Sequence, residues 1–166
     1  ATAWTFLVFD WLMALDYTWF STMWGVYLFA GAALNSMGLL ILLVTFLRRA
    51  GYLKSVVTME HYHLMGKLML AFVIFWAYIA FSQYFLIWYA NITEETKFFL
   101  TRNTDFWNTY TIVFLVVGHF IVPFTVLLFQ KVKKLPLLIS GVAIWNLVMH
   151  ALDLYWIIIP ERGPSL

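Results

Sequence analysis

The chain contains no cysteine. Within it, that excludes a disulfide framework, cysteine-ligated zinc or iron–sulfur sites and a thiolate nucleophile. Charge is almost as scarce. Only 11% of the 166 residues are Asp, Glu, Lys or Arg, while 64% are hydrophobic; a soluble domain carries about 25% charged residues. There is too little polar surface to cover a core of that size in water, so a water-soluble reading fails. The net charge of +2 is small and unevenly placed. It bears on membrane orientation, and nothing supports nucleic-acid recognition. A phosphate loop, a dinucleotide fingerprint and a serine nucleophile elbow are all missing. The histidines do not form the central pairs of a di-heme bundle. A basic n-region with a cleavage site is also missing from the start, Ala1-Thr2-Ala3-Trp4, which is expected to continue from an earlier part of a longer protein.

What the chain has instead is four long apolar stretches, at about residues 22–47, 66–90, 107–130 and 137–158. About 20 helical residues cross a hydrocarbon core of roughly 30 Å, so each can span a membrane. The sequence predicts an all-α protein, a polytopic transmembrane antiparallel four-helix bundle over residues 22–158, because spans joined by short links pack as neighbours. Residues 1–21 include WTFLVFDWLMALDYTWF, an apolar run broken by Asp10 and Asp16. It reads as an interfacial helix with aromatic anchors or as the end of a preceding helix. Ser21 or Thr22 is expected to cap the first span, and Thr58 with His61, or Glu60, the start of the second. Residues 159–166 form a polar tail, expected to be mobile.

Arg48, Arg49, Lys54, Lys67, Lys131, Lys133 and Lys134 fall on one side of these spans, and Lys97, Arg102 and Arg162 on the other. This bias places the 48–65 and 131–136 connections in the cytoplasm, and the N-terminus, the 91–106 loop and the C-terminus outside.

Polar residues inside the spans are the functional candidates, since lipid offers them no hydrogen bonds. His119 lies near the centre of the third span. It reads as an interhelical hydrogen-bonding group, a member of a proton relay, or a heme or metal ligand. Pro123, four residues on, should disturb the helix and free the Gly118 or His119 region for water or a side chain. His150 and Asp153 stand i,i+3 on one face of the fourth span, with Asn146 a turn away. Together they line a polar route or fix the bundle. Glu60, His61, His63 and Lys67 sit at the cytoplasmic mouth of the second span. They admit protons there or form a solvated helix end with Lys67 reaching the headgroups. A metal site is not expected, since HYH is not the HExxH arrangement. Tyr78, Gln83 and Tyr84 interrupt the second span and can contact a quinone or pack as part of an aromatic bundle. Asn35 needs a partner inside the bundle, and Gly31, Ala32, Ala33 and Ser36 allow close helix approach.

The segment EHYHLMGKLMLAFVIFWAYIAFSQYFLIWYANITEET, residues 60–96, and the run DWLMALDYTWFSTMWGVYLFAGA, residues 10–32, resemble a membrane subunit of bacterial alternative complex III. The resemblance is to the second quinone-binding subunit family of that quinol:cytochrome c oxidoreductase, related to the polysulfide-reductase membrane subunit. It extends over nearly the whole chain and implies the C-terminal part of a longer subunit in the bacterial cytoplasmic membrane, with the termini of this chain on the periplasmic side. The implied complex oxidises quinol and passes electrons through extracytoplasmic partners carrying heme c and iron–sulfur clusters. A larger related membrane subunit is implied to hold the principal quinol site. This chain is then expected to be non-catalytic and without a redox cofactor, in contact with membrane lipids. It is expected to contribute a proton route, for which the resemblance offers Glu60, His61, His63, His119, His150 and Asp153 and the residue pattern itself adds Lys67 and Asn146. A purely structural scaffold and a direct quinone-binding subunit are the alternatives.

Overall fold

The computed structural model describes residues 2–16 and 18–162, and all regular structure among them is helical. Helix α1 runs Thr2–Trp11 and is followed by a 3₁₀ turn, Met13–Leu15. The four spans are α2 (Trp24–Arg49), α3 (Met59–Ala90), α5 (Asp105–Leu128) and α7 (Pro136–Ile158). Two shorter helices, α4 (Thr93–Leu100) and α6 (Gln130–Lys134), lie in the connections. The bundle is therefore the expected one, with boundaries shifted by two residues or fewer except at the start of α3. That helix begins at Met59, because Thr58 N–H bonds His61 Nδ1 at 3.1 Å and closes the helix start ahead of the apolar run. At its other end Asn91 takes the left-handed conformation, φ 49°, which a short polar side chain tolerates and which stops the helix.

Some local expectations change. Neither Ser21 nor Thr22 caps α2 through its side chain; Trp24 N–H bonds the Ser21 carbonyl at 3.2 Å instead. Ser21 Oγ turns toward α3, where Gln83 Nε2 approaches it at 3.5 Å. The tail begins as a 3₁₀ turn, Ile159–Arg162, and residues 163–166 lie outside the described residues. The third span is not uniformly α-helical. Thr111–Ile121 follows the π pattern, and the α pattern resumes at Val122.

Two ionic ties define the ends of the bundle. At one end Lys97 on α4 meets Asp16 at 2.9 Å, joining the N-terminal segment to the 91–106 connection. At the other, Lys134 on α6 meets Glu60 on α3 at 2.8 Å. The connections that the charge bias grouped together are thus neighbours in space.

Arg102 belongs to the first end but is not a loop charge in solvent. It is buried, and its guanidinium donates to the carbonyls of Trp156 (3.2 Å), Ile157 (2.7 Å) and Phe98 (2.7 Å) while lying 3.5 Å over the Phe98 ring. The last carbonyls of a helix have no partners within it. A planar, always-charged fork satisfies them at the negative end of the α7 dipole. Arg102→Met is expected to lower unfolding stability by roughly 2–4 kcal/mol, because these carbonyls lose a charged donor. Denaturant titration of the purified protein in detergent measures it, and Arg102→Lys recovers only part of the loss.

Asp16 reports on the same end. Burial raises its carboxyl, but hydrogen bonds from Thr18 and Lys97 and the Lys97 charge outweigh burial and hold it below the usual range. A carboxylate shifted down stabilises the fold above its unfolded pKa and loses that contribution as pH falls through the lower, folded value. Asp16→Asn should therefore be less stable than the parent near about pH 7, and the difference should shrink as pH falls below about 4, as read by thermal unfolding across that range.

Candidate functional site

The polar residues of the spans meet in one buried group built from all four long helices. Tyr27 comes from α2, Trp76 from α3, His119 from α5, and Asn146, His150 and Asp153 from α7. His119, Asn146 and Asp153 are each 0% exposed. Spacing alone aligns the α7 residues: a step of three or four puts Asn146, His150 and Asp153 on one face, and that face turns inward.

Tyr27 Oη donates to Asp153 Oδ1 at 2.5 Å, a short contact of the kind made to a carboxylate. Asp153 Oδ2 lies 3.7 Å from His150 Nδ1, beyond hydrogen-bond reach. The Trp76 indole lies beside both Tyr27 and Asp153, without a hydrogen bond of standard geometry. Its ring also lies 3.9 Å, centroid to centroid, from His119, whose ring is in turn 6.0 Å from His150.

Glycine creates the space for His150. A Cβ at Gly31 would stand 2.3 Å from His150 Cε1 and 2.8 Å from Nδ1. The small-residue patch on α2 is thus a seat for one imidazole as well as a route to close helix approach. Gly38 packs against Ala143, and in this antiparallel register Asn35 falls level with Asn146. The expected partner for Asn35 is not found: its Oδ1 is unpaired, as are both amide atoms of Asn146, both ring nitrogens of His119, His150 Nδ1 and Asp153 Oδ2. An unpaired buried polar atom costs about 1–3 kcal/mol. Of these residues His119, His150 and Asp153 can each exchange a proton, and ionisable groups at membrane depth are costly to keep.

Pro123 explains the helix around His119. Val122 N–H bonds the Val117 carbonyl, the last step of the π pattern. The next step would pair Gly118 C=O with the N–H of residue 123, and proline has none. The freed Gly118 carbonyl accepts the Trp145 indole N–H from α7 at 2.8 Å. The group released by Pro123 is therefore this carbonyl, taken by a side chain.

Glu60, His61, His63 and Lys67 do not join the buried group. Glu60 is exposed and paired with Lys134, His61 serves the helix cap, and Lys67 is exposed. Ile41, Met69, Val73, Leu127, Ile139 and Ala143, all fully buried in one apolar cluster, lie between this end and His119. The eight proton-route candidates therefore fall into two sets separated by an apolar layer.

Tyr78, Gln83 and Tyr84 do share a site. They line a cleft of about 1070 Å³ that also touches Tyr27 and Trp76. Gln83 is 5% exposed with Oε1 unpaired, while both tyrosine side chains are exposed. Among the described residues no three His, Asp or Glu side chains converge as a metal site would need.

Sequence reasoning missed Tyr27, Trp76 and the particular role of Gly31. Tyr27 had a usable signal, since a tyrosine hydroxyl inside a span needs a partner. Trp76 and Gly31 had none, because both residue types are ordinary in packed membrane helices.

The fold and this polar group define a multi-pass membrane protein: a four-span helical bundle with a buried histidine–carboxylate–tyrosine site. No protein-family model matches the chain, and no curated protein matches it.

Tyr27→Phe removes the Tyr27 hydrogen bond to Asp153 Oδ1 and is expected to cost about 1–3 kcal/mol in unfolding stability. Gly31→Ala forces the His150 ring aside, at about 1–3 kcal/mol. Because both positions serve one cluster, a double-mutant cycle by denaturant titration should give a non-additive total.

Proposed function

We propose that this chain is a non-catalytic integral membrane subunit of a quinol-oxidising, cytochrome-reducing respiratory complex, and that its buried polar group handles protons. The observation that carries the reading is the Tyr27–Asp153–His150–His119 arrangement, a carboxylic acid and two imidazoles at membrane depth with open hydrogen-bonding positions. The resemblance of residues 10–32 and 60–96 to alternative complex III supports the respiratory setting. The bias of Lys and Arg supports placing the 48–65 and 131–136 connections inside, and the bacterial cytoplasmic membrane follows from the resemblance. In this reading electrons travel through partner subunits carrying heme c and iron–sulfur clusters, and a larger related membrane subunit binds the quinol.

Within this chain Asp153 holds the proton nearest the outer end, oriented by Tyr27. His150 stands next to the free carboxylate oxygen, and His119 leads toward the bundle centre. Transfer across the 3.7 Å step needs a small ring movement or a bridging water. Passage to Glu60 and His63 further requires the apolar layer around Met69 and Ile139 to open. The π-type segment beside His119 is the place where a helix can change register.

The test uses the intact complex in proteoliposomes. Asp153→Asn and His119→Ala should each lower the number of protons moved per electron while quinol oxidation continues. Unchanged ratios in both variants leave the polar group as bundle packing, the scaffold reading. A second reading, direct quinone contact, is favoured by the cleft that gathers Tyr78, Gln83 and Tyr84. A photoreactive quinone should then label the 78–84 segment, and labelling confined to other subunits rejects it.

A further inference from the structure

The opposite, basic end of the bundle carries a second group of unpaired polar atoms. Seven cations lie there, Arg48, Arg49, Lys54, Lys67, Lys131, Lys133 and Lys134, with a single carboxylate, Glu60. Lys134 already holds that carboxylate. Lys133 is the unusual member. It is only 7% exposed, an uncommon burial for a lysine. Its stem lies against Gly66, where an added Cβ would stand 2.7 Å from Lys133 Cγ. Gly66 therefore admits a cationic chain between α3 and α6.

One turn earlier on the same face of α3 is Tyr62, fully buried, and the Arg48 guanidinium lies 5.8 Å over its ring. Three polar atoms in this cluster are buried and unpaired: Arg48 Nε, Tyr62 Oη and His63 Nδ1. The group is thus cationic and hydrogen-bonding, drawn from α2, α3 and α6. It also borders exposed apolar surface, since Leu64 and Leu68, next to His63 and Lys67 on α3, are exposed.

We propose that this cluster is a binding site for the phosphate of an anionic membrane lipid, held between Arg48, Tyr62, His63 and Lys133. A phosphodiester supplies the negative charge and acceptor oxygens these groups lack. The acyl chains lie along the apolar flank that Leu64 and Leu68 present. Basic pockets between spans take anionic headgroups by this chemistry. The site is separate from the buried histidine–carboxylate group and does not depend on which compartment this end faces.

Native mass spectrometry of the purified full chain, titrated with phosphatidylglycerol or with phosphatidylcholine of the same acyl chains, tests the proposal. The parent should retain phosphatidylglycerol about tenfold more tightly. Lys133→Met keeps an unbranched stem over Gly66 but removes the charge, and Arg48→Gln removes the other central cation. Each should weaken phosphatidylglycerol retention about fivefold, while Lys97→Gln at the far end leaves it unchanged and Arg48→Lys keeps most of it. Equal retention of the two lipids, or full retention in both charge-removing variants, overturns the proposal. Competition by millimolar inorganic phosphate with no lipid preference also overturns it and assigns the cluster to a soluble anion. Loss of phosphatidylglycerol when an acidic peptide is added, with the parent blind to lipid charge, assigns it to an acidic protein partner instead.

Discussion

Hydrocarbon around the four spans denies every buried polar group a partner in solvent, and the hydrogen bond from Tyr27 to Asp153 is where the bundle answers that constraint most directly. It joins α2 to α7 across a fully buried carboxylate. Once Asp153 is fixed, His150 must lie beside it on the same helical face, and Gly31 must be small enough to admit the imidazole. Trp76 from α3 and His119 from α5 then close around the pair. A single polar contact thereby sets the approach of four helices whose other surfaces are nearly all apolar and fit many arrangements.

The two ends of the bundle solve a different problem. Helix termini leave carbonyls and N–H groups unpaired, and each end uses charge to settle them. Arg102 takes the carbonyls that close α7 and, through Phe98, the end of α4. At the opposite end cations outnumber carboxylates, and the excess is not consumed inside the chain. Arg102 illustrates why loop charges cannot all be counted alike: a charge used as a helix cap contributes to packing, and a solvent-facing one to orientation. Removing Arg102 from the tally at its own end makes the difference between the two ends larger.

Much of this architecture is legible in the sequence. Four spans, short links, the inward face of Asn146, His150 and Asp153, and a disturbance at Pro123 all follow from local spacing and covalent geometry. The candidate site is legible only in part. His119 and the α7 residues stand out because polar groups are rare in lipid. Their partners do not stand out, since Tyr27 and Trp76 resemble the many other aromatic residues of the chain. The candidates Glu60, His61, His63 and Lys67 share a span with Trp76 but sit turns away from it, behind Met69 and Val73. Helical periodicity aligns residues along a face without saying whether what lies between them is wet or dry.

The sequence by itself determined the solvent, the number of spans and their alternation, because apolar length and charge placement act locally along one chain. Only the tertiary structure decided which polar groups meet. It placed the Tyr27 hydroxyl on Asp153, seated His150 against Gly31, released Gly118 to Trp145 and separated the basic end from the buried acid. These outcomes depend on the rotation and register of each helix against its neighbours, quantities fixed by packing among residues far apart in sequence.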